Sequence, residues 1–261
     1  MDATPPWNTT FSTDEKQADR FLEQVCSMVD AATLRHARHV VDIGCGDGGK
    51  IMRLAKIWPN MTFTGIDISA PNIRAAEVRR AADPARDRIT LVLGDYREVS
   101  LPLADIIVSD STLHLIPCGN GELFSKITGE LTPGGLLLFT MPRRCVFNTA
   151  LAFARRAARA IRSRWTDWLI LALAKRLHGG AHSQDFLRER LPYMYIPPYR
   201  YGSRRFARGL LKQHHLALET TLSCAHASLG QAKHSFYAFR HVVRAGMSAG
   251  SGDGATLRAS A

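Results

Sequence analysis

Residues 40–49 decide the fold of this chain, and they read Val40-Val41-Asp42-Ile43-Gly44-Cys45-Gly46-Asp47-Gly48-Gly49. The apolar run predicts a buried strand that ends at Ile43. The glycines that follow predict a tight turn whose backbone can approach a ligand closely, because glycine has no Cβ. A helix predicted from Lys50 onward aims its free N–H groups at that ligand. The stretch therefore predicts a cofactor-binding loop.

Short apolar strands alternate with helices on both sides of this loop. The predicted strands are residues 39–43, 62–66, 88–93, 104–109 and 136–140, and the predicted helices are residues 12–38, 50–58, 70–82 and 121–130. A further helix at 202–213 precedes two strands, 215–223 and 234–243, that we expect to pair antiparallel. This order predicts an α/β fold with a Rossmann-like, mostly parallel seven-stranded sheet and an antiparallel C-terminal strand pair.

The pattern changes after the fifth strand, where residues 143–201 form a predicted helical insertion. Helices are expected at 146–162, 165–178 and 184–190, before Pro192 and the pair Pro197-Pro198 break the chain. In the first helix the arginines share one face, and these are Arg155, Arg159 and Arg162. The apolar residues share another face, and these are Phe147, Leu151, Ala154, Ala158 and Ile161. The tryptophan and leucine side chains of residues 165–174 are expected to be buried.

The charge distribution separates the insertion from the rest of the chain. The net charge is +11, yet residues 143–208 carry 15 Lys and Arg against 3 Asp and Glu, and the remaining residues carry 19 against 20. The five cysteines are scattered without a Cys-x-x-Cys pair, so no zinc site or disulfide framework is predicted. The first residues lack the features of a signal peptide, which favours a cytoplasmic protein. We expect one domain over residues 1–261, with a disordered tail at 245–261.

Polar residues lie where the predicted strands end, which is where open α/β sheets bind ligands. Gly44-x-Gly46-x-x-Gly49 satisfies the dinucleotide fingerprint, with Asp67 at the spacing of a ribose-binding acid. However, Asp42 stands two residues before the first glycine, and its carboxylate would repel a pyrophosphate. A cationic ligand suits this loop better.

Four stretches of the chain together resemble the class I S-adenosylmethionine-dependent methyltransferases of the small-molecule type. They are Val40-Val41-Asp42-Ile43-Gly44-Cys45-Gly46-Asp47-Gly48, Gly65-Ile66-Asp67-Ile68-Ser69, Gly94-Asp95-Tyr96 and Leu131-Thr132-Pro133-Gly134-Gly135. They occur in order at strand ends over residues 14–141. The resemblance implies an enzyme that uses S-adenosylmethionine. It also implies that the insertion is a lid over the methyl acceptor.

The resemblance assigns roles to individual residues. Gly44 and Gly46 would pass beneath the methionine part of the cofactor, which Asp42 would help to position. Asp67 would bind the ribose hydroxyls. The remaining expected cofactor contacts are Ile68 packing on adenine, Asp95 with Tyr96 at the adenine edge and face, Cys45 in the loop, and Ser109 at the end of the fourth strand.

The acceptor side is predicted from residues 109–117 and from the insertion. His114 is the candidate general base, because histidine titrates in the useful range, and Asp110 is a candidate to orient it. A packing role for His114 stays open. The arginines of the insertion, including Arg143, can hold an anionic group, and Tyr195 and Tyr199 can add aromatic walls. No metal site is predicted, because no carboxylate cluster accompanies the histidines.

The expected function is methyl transfer to an oxygen or nitrogen of a small, partly apolar and anionic metabolite, with secondary metabolism as the setting. A nucleic-acid methyltransferase is an alternative that the basic segment motivates. The stretch Ile196-Pro197-Pro198-Tyr199 lacks the polar first residue of the motif in adenine-amino methyltransferases, and this counts against a nucleic-acid substrate. A second alternative is a non-catalytic, cofactor-binding scaffold that docks on a membrane or partner through its basic amphipathic helices.

Overall fold

The computed structural model describes residues 15–177, 184–224 and 232–242. Its strands are β1 (His39–Ile43), β2 (Thr62–Asp67), β3 (Ile89–Leu93), β4 (Ala104–Asp110), β5 (Leu131–Pro142), β6 (Leu216–Ser223) and β7 (His234–His241). They form one sheet in the order β3-β2-β1-β4-β5-β7-β6. Strands β1 to β5 run parallel, and β7 runs antiparallel to both β5 and β6. The predicted Rossmann-like fold is confirmed.

Helices cover both faces of this sheet. In the described residues they are α1 (Glu15–Met28), α2 (Ala31–His36), α3 (Gly49–Ile57), α4 (Ala70–Ala81), α5 (Asn120–Gly129), α6 (Val146–Ala160), α7 (Arg164–Leu177), α8 (Gln184–Met194) and α9 (Arg204–His214). One core lies between the sheet and the side of α1 and α3, around Leu54 and Phe63. A second core lies on the opposite face, where Phe124 and Phe139 pack among the apolar residues of α5 and α9. Because the parallel strands are covered on both faces, they read as continuous apolar runs.

The strand register brings the ends of β1, β2 and β4 to one edge of the sheet. Ile43 pairs with Ile66, and Asp110 pairs with Thr140 on β5. The amide N–H groups of Gly44 and Cys45 both donate to the carbonyl of Ile66, at 2.8 and 3.1 Å. The glycine loop is therefore attached to the end of β2 from its first residue.

The predicted N-terminal helix at 12–38 is divided in two, and its first residues lie outside the described ones. The chain is extended at Asp30, whose carboxylate accepts a hydrogen bond from the Thr33 N–H at 2.7 Å. An aspartate in this position starts a helix rather than continuing one, because its side chain satisfies a free backbone donor. The prediction of one continuous helix was wrong for this reason.

Two other predicted boundaries differ from the structure. Pro192 lies inside α8, which continues to Met194 and closes with a hydrogen bond from the Tyr195 N–H to the Pro192 carbonyl at 3.2 Å. A proline in the last turn disturbs little, because few helical residues follow it. Residues 132–135, predicted as a turn before the fifth strand, lie within β5 as an irregularity where the register to β4 shifts.

Helix α6 presents a different face to the protein than its sequence pattern predicts. Asn148, Ala152 and Arg155 face inward, while Phe153 and Ile161 are exposed. Asn148 sets this rotation: its amide donates to the carbonyls of Arg143 (2.7 Å) and Lys233 (2.8 Å), and its oxygen accepts from the Lys233 N–H (2.8 Å). The three hydrogen bonds of this buried amide stabilise the observed rotation more than burial of the alanine-rich face would stabilise the predicted one.

Candidate active site

The glycine loop has a backbone that only glycine adopts without strain. Gly44 and Gly46 have φ angles of +79° and +58°, in the left-handed region. A Cβ placed on Gly44 would also stand 2.1 Å from the Oγ1 of Thr112, a residue that follows β4. The loop and the segment after β4 therefore touch without space for a side chain between them.

Asp67, the last residue of β2, holds the loop in this shape. Its Oδ2 accepts a hydrogen bond from the Gly46 N–H at 2.9 Å. Its Oδ1 accepts from the Ser69 N–H at 2.8 Å and from the Asn72 side chain at 3.2 Å. One carboxylate thus connects the loop to the start of α4. Hydrogen bonds to a charged group are among the stronger ones in proteins, so this contact fixes the geometry of the cleft.

A cleft opens above these residues along the ends of β1, β2, β3 and β4. Its lining includes six of the predicted cofactor residues, Gly44, Gly46, Asp67, Ile68, Asp95 and Tyr96, together with Asp110. The lining residues that sequence reasoning missed are Lys50, Asn72 and Arg97, whereas Thr112, Leu115, Ile116 and Ile196 lie in the segments predicted for the acceptor side. The strand-end residues therefore converge on one concave surface.

Asp95 and Tyr96 already have partners within the protein. The Asp95 carboxylate accepts two hydrogen bonds from the Nε and Nη2 of Arg97 to its Oδ2, at 3.0 and 2.5 Å, and this hydrogen bonding lowers its pKa. The Tyr96 hydroxyl donates to Glu130 at 2.8 Å, away from the cleft, and burial raises its pKa. Tyr96 therefore offers the cleft its ring rather than its hydroxyl.

Three of the predicted cofactor residues lie behind the cleft lining. Asp42 and Ser109 are fully buried, and Cys45 is nearly so. The Ser109 hydroxyl donates to the carbonyl of Ile43 at 2.8 Å, which ties β4 to the end of β1. Cys45 packs close to Gly65 on β2, where an added Cβ would stand 2.9 Å from its Sγ. Ser109 and Cys45 support the loop from below.

A buried ion pair lies beneath the loop. The Lys50 Nζ is 3.2 Å from the Oδ2 of Asp110, and both side chains are almost inaccessible to solvent. Burial alone would raise the pKa of Asp110, but Lys50 and the hydroxyl of Thr140, which donates at 2.6 Å, lower it. The pair is therefore charged. A lysine in the first turn of a helix opposes the helix dipole, and this was the signal in the sequence that Lys50 has another task.

Asp42 completes this group of charges. Neither of its carboxylate oxygens has a hydrogen-bond partner. Burial raises the pKa of Asp42 to about 7. The charge of Lys50 lowers this pKa and the charge of Asp110 raises it, and both effects are smaller than that of burial. A buried carboxyl group without partners is costly, so its place under a ligand-binding loop favours a ligand that brings positive charge.

The acceptor side is built around His114, in a short 3-10 turn after β4. Its ring packs against the ring of His234 with centroids 5.4 Å apart, and its Nδ1 is buried without a hydrogen-bond partner. Burial, together with the nearby charges of His234, Arg155 and Arg200, keeps its pKa well below the usual value. The ring is therefore neutral near pH 7. Asp110 is engaged by Lys50, Thr140 and Ser111, so the structure does not bring it to His114 as the sequence suggested.

Two arginines of the insertion reach this region from different elements. Arg155 of α6 is partly buried, and its Nη1 donates to the carbonyl of Ile196 at 3.3 Å. Arg200 donates to the carbonyls of Leu113 and Cys118, the second at 2.6 Å. Arg200 therefore fixes the segment after β4. Arg155 has a neutral carbonyl as its partner.

His114 is not among the residues that line the cleft, and the remaining predicted acceptor residues also lie apart from that lining. Arg143 is half-buried at the end of β5, and its Nε has no hydrogen-bond partner. The buried Tyr195 donates its hydroxyl to Asp167 at 2.5 Å and so connects α8 to α7. Tyr199 is half-exposed, and its N–H donates to the His114 carbonyl at 2.8 Å. The described residues contain no group of three or more metal-ligating side chains. None of their helices is long and apolar enough to cross a bilayer.

Comparisons with known proteins agree on one family. Residues 40–135 match a family model described as a methyltransferase domain. An uncharacterized methyltransferase of Mycobacterium tuberculosis is 30% identical over 176 residues, which are 67% of this chain and 74% of that protein. The trans-aconitate 2-methyltransferase of the same species is 33% identical over 116 residues. That match spans 44% of this chain and only 41% of the relative's length.

A solved structure has the same fold. It is the N-methyltransferase NodS from Bradyrhizobium japonicum WM9 in complex with S-adenosyl-L-homocysteine. It superposes with a TM-score of 0.54 at 17% identity and covers 87% of this chain and 86% of its own. At this identity the likeness concerns the fold alone.

Proposed function

The chain belongs to the class I S-adenosylmethionine-dependent methyltransferases, and from this premise we propose that it methylates an oxygen or nitrogen of a small, partly apolar molecule that carries an anionic group. S-adenosylmethionine supplies a methyl group that its sulfonium makes electrophilic. The protein's task is then to hold the two reactants in line and to exclude water.

The residues of the cleft fit this cofactor. Gly44 and Gly46 leave the space that a ligand lying on the loop needs, and Asp67 has lone pairs left for ribose hydroxyls. Asp42 is a buried carboxyl group without partners that would attract the cationic methionine end. Lys50 is a cation that can meet the carboxylate of that end. Ile68 would pack on the adenine, and Asp95 with Tyr96 would bound it.

The observation that carries the acceptor class is that Arg155 is partly buried with a neutral hydrogen-bond partner. Its guanidinium is near enough to lower the pKa of His114, and its hydrogen-bond partner is the neutral carbonyl of Ile196. Burying a charge is costly unless an opposite charge pairs with it. A carboxylate or similar anion on the acceptor would satisfy Arg155, and Arg143 offers a second donor through its unpartnered Nε. We therefore assign residues 143–201 the role of a lid that binds the acceptor.

The state of His114 bears on which atom is methylated. A neutral ring with an unpartnered Nδ1 can accept a hydrogen bond from the acceptor, so His114 is kept as the candidate proton acceptor. Its lowered pKa makes it a weak base, however. An acceptor atom that needs no deprotonation, such as a carboxylate oxygen, suits such a site. The name of the trans-aconitate 2-methyltransferase, a partial relative, supports a carboxylate-bearing acceptor.

The test is a methyl-transfer assay with S-adenosylmethionine and a panel of small carboxylic acids, each paired with its neutral amide. We expect turnover of one or more acids and at least tenfold less of the paired amides. In Arg155→Gln, KM for the acid should rise by about tenfold or more, since a charge-assisted hydrogen bond contributes about 1.5–3 kcal/mol. The binding of S-adenosylhomocysteine should stay unchanged.

The matched control is Arg156→Gln, which removes the same charge from the neighbouring, exposed position. It should leave KM unchanged. Equal turnover of acids and amides, or equal effects of the two substitutions, would refute the anionic acceptor. Methyl incorporation into RNA or DNA would show that the protein is a nucleic-acid enzyme.

A further inference from the structure

Helix α7 carries a continuous apolar stripe on its outer surface. Trp165, Trp168, Leu169 and Leu173 are spaced by three or four residues, and 81, 63, 60 and 54% of their surfaces are exposed. At about 100° per residue these four side chains share one face of the helix. Large apolar side chains are expected to be buried, so a stripe of this size marks an interaction surface.

The opposite face of α7 attaches the helix to the protein. Ala174 is buried, and Asp167 accepts a hydrogen bond from the Tyr195 hydroxyl of α8. The guanidinium of Arg162 lies over the Tyr195 ring, 4.7 Å from its centroid. The orientation of α7 is therefore set by polar contacts on its inner side. Trp165, Trp168, Leu169 and Leu173 remain on the outside, which overturns the expectation that they are buried.

Positive charge borders the stripe along one edge and at its C-terminal end. Residues 143–177 contain nine Lys and Arg and a single acid, Asp167, which is already engaged by Tyr195. On the helical projection Arg164 and Lys175 lie along one edge of the stripe, Arg176 lies at its C-terminal end, and all three are exposed. The surface thus combines exposed tryptophan, leucine and cationic side chains on one helix.

We propose that α7 docks the protein on the surface of a lipid bilayer that contains anionic lipid. Tryptophan and leucine insert at the boundary between headgroups and acyl chains, while arginine and lysine attract anionic headgroups. The helix has 14 residues, which is too short to span a bilayer, so it lies along the surface. Charge complementarity favours this partner over a second copy of the chain, whose α7 surface would carry the same positive charge.

The proposal does not depend on the acceptor, because the test measures binding alone. The full-length protein is floated with vesicles of pure phosphatidylcholine and with vesicles that also contain phosphatidylglycerol. We expect at least tenfold tighter binding to the anionic vesicles, weakened by added salt because surface electrostatics are screened. The double variant Trp165→Ser with Trp168→Ser should bind at least tenfold more weakly than wild type. So should the pair Arg164→Gln with Lys175→Gln.

Two matched control variants test whether vesicle binding depends on α7 itself or on exposed apolar and charged residues in general. Val78→Ser with Leu103→Ser changes two other exposed apolar residues, and Arg74→Gln with Arg86→Gln removes two exposed charges elsewhere. Both should bind vesicles like wild type. In a Trp7→Phe background, brominated lipids should quench Trp165 and Trp168, while the buried Trp58 stays unquenched.

Three results would overturn the proposal. The first is equal binding to neutral and anionic vesicles, and the second is vesicle binding that survives both α7 double variants. The third is a protein that does not bind vesicles but forms dimers that Trp165→Ser with Trp168→Ser dissociates. That outcome would identify α7 as an interface between copies of the chain.

Discussion

The glycine loop and the helical insertion differ in whether their charges are paired and in where their large apolar side chains lie. In the loop, backbone N–H groups and carboxylates are paired over short distances, as in the contact of Gly46 with Asp67. Its charges are balanced internally by pairs such as Lys50 with Asp110. In the insertion, cations outnumber acids, and large apolar side chains such as Trp165 face outward.

This difference reflects what each region must do. A loop that holds one fixed cofactor needs a single backbone geometry, which glycines and hydrogen bonds can impose. A surface that binds an acceptor or a bilayer needs charged side chains and exposed apolar area, but the exact positions of these side chains matter less. Substitutions in the loop should therefore have large effects on stability and cofactor binding. Substitutions in the insertion should change what the protein binds while the fold persists.

The largest effect is expected for Gly44→Ala. A Cβ there meets both left-handed backbone strain and a clash with Thr112, together costing about 2–5 kcal/mol of unfolding free energy. Gly134→Ala is the control, because Gly134 has a similar φ of +81° but open space around it. It should cost about 1–2 kcal/mol. Chemical denaturation measures both, and equal losses would mean that the contact with Thr112 is not tight.

Asp42→Asn should change the pH dependence of stability in the ligand-free protein. The ordinary pKa of 3.8 is raised to about 7 in the folded state, so between these values the folded protein keeps a proton that the unfolded chain releases. The free energy of unfolding of wild type therefore falls as pH rises through this window, by up to about 4 kcal/mol, and then levels off. Relative to wild type, Asp42→Asn should gain stability from pH 4 to pH 7. A difference that stays constant with pH would contradict the burial argument.

Asp67→Asn tests the contact between loop and cofactor. The amide keeps the shape of the side chain but loses the charge and one acceptor oxygen, so the Gly46 N–H and the ribose hydroxyls compete for fewer lone pairs. We expect the Kd for S-adenosylhomocysteine to rise about 10- to 100-fold, which corresponds to about 1.5–3 kcal/mol. Isothermal calorimetry measures it, with Asp87→Asn as the control of equal charge. Unchanged affinity would remove Asp67 from the cofactor site.

The smallest effect is expected for His114→Gln. If the acceptor atom is already ionised, removing a weak base should lower kcat less than about tenfold and leave the shape of the pH–rate profile unchanged. Loss of one limb of the profile would instead establish His114 as the general base. That outcome would show that the acceptor side, like the loop, depends on one precisely placed group.

Several features of this protein were predictable from local sequence alone. Apolar runs and glycine-rich turns report on neighbouring residues, so six of the seven strands and the loop at residues 40–49 were found nearly at their observed bounds, while β5 begins five residues before the predicted strand. Because parallel strands place their carboxyl ends at one edge, Asp67 and Asp95 could be assigned to one cleft before its geometry was known. The cofactor followed from the resemblance of the same strand-end motifs to the methyltransferase family.

Tertiary structure alone decided the features that depend on residues far apart in the chain. Lys50 meets Asp110 across 60 positions, and Asn148 turns α6 through hydrogen bonds to Lys233 across 85. No pattern of neighbouring residues encodes such contacts, because they arise from long-range packing and the satisfaction of buried polar groups. The sequence by itself thus determined the fold and the cofactor. The packing of the chain determined that His114 lies beside His234, that Arg155 is partly buried, and that the tryptophans of α7 face outward.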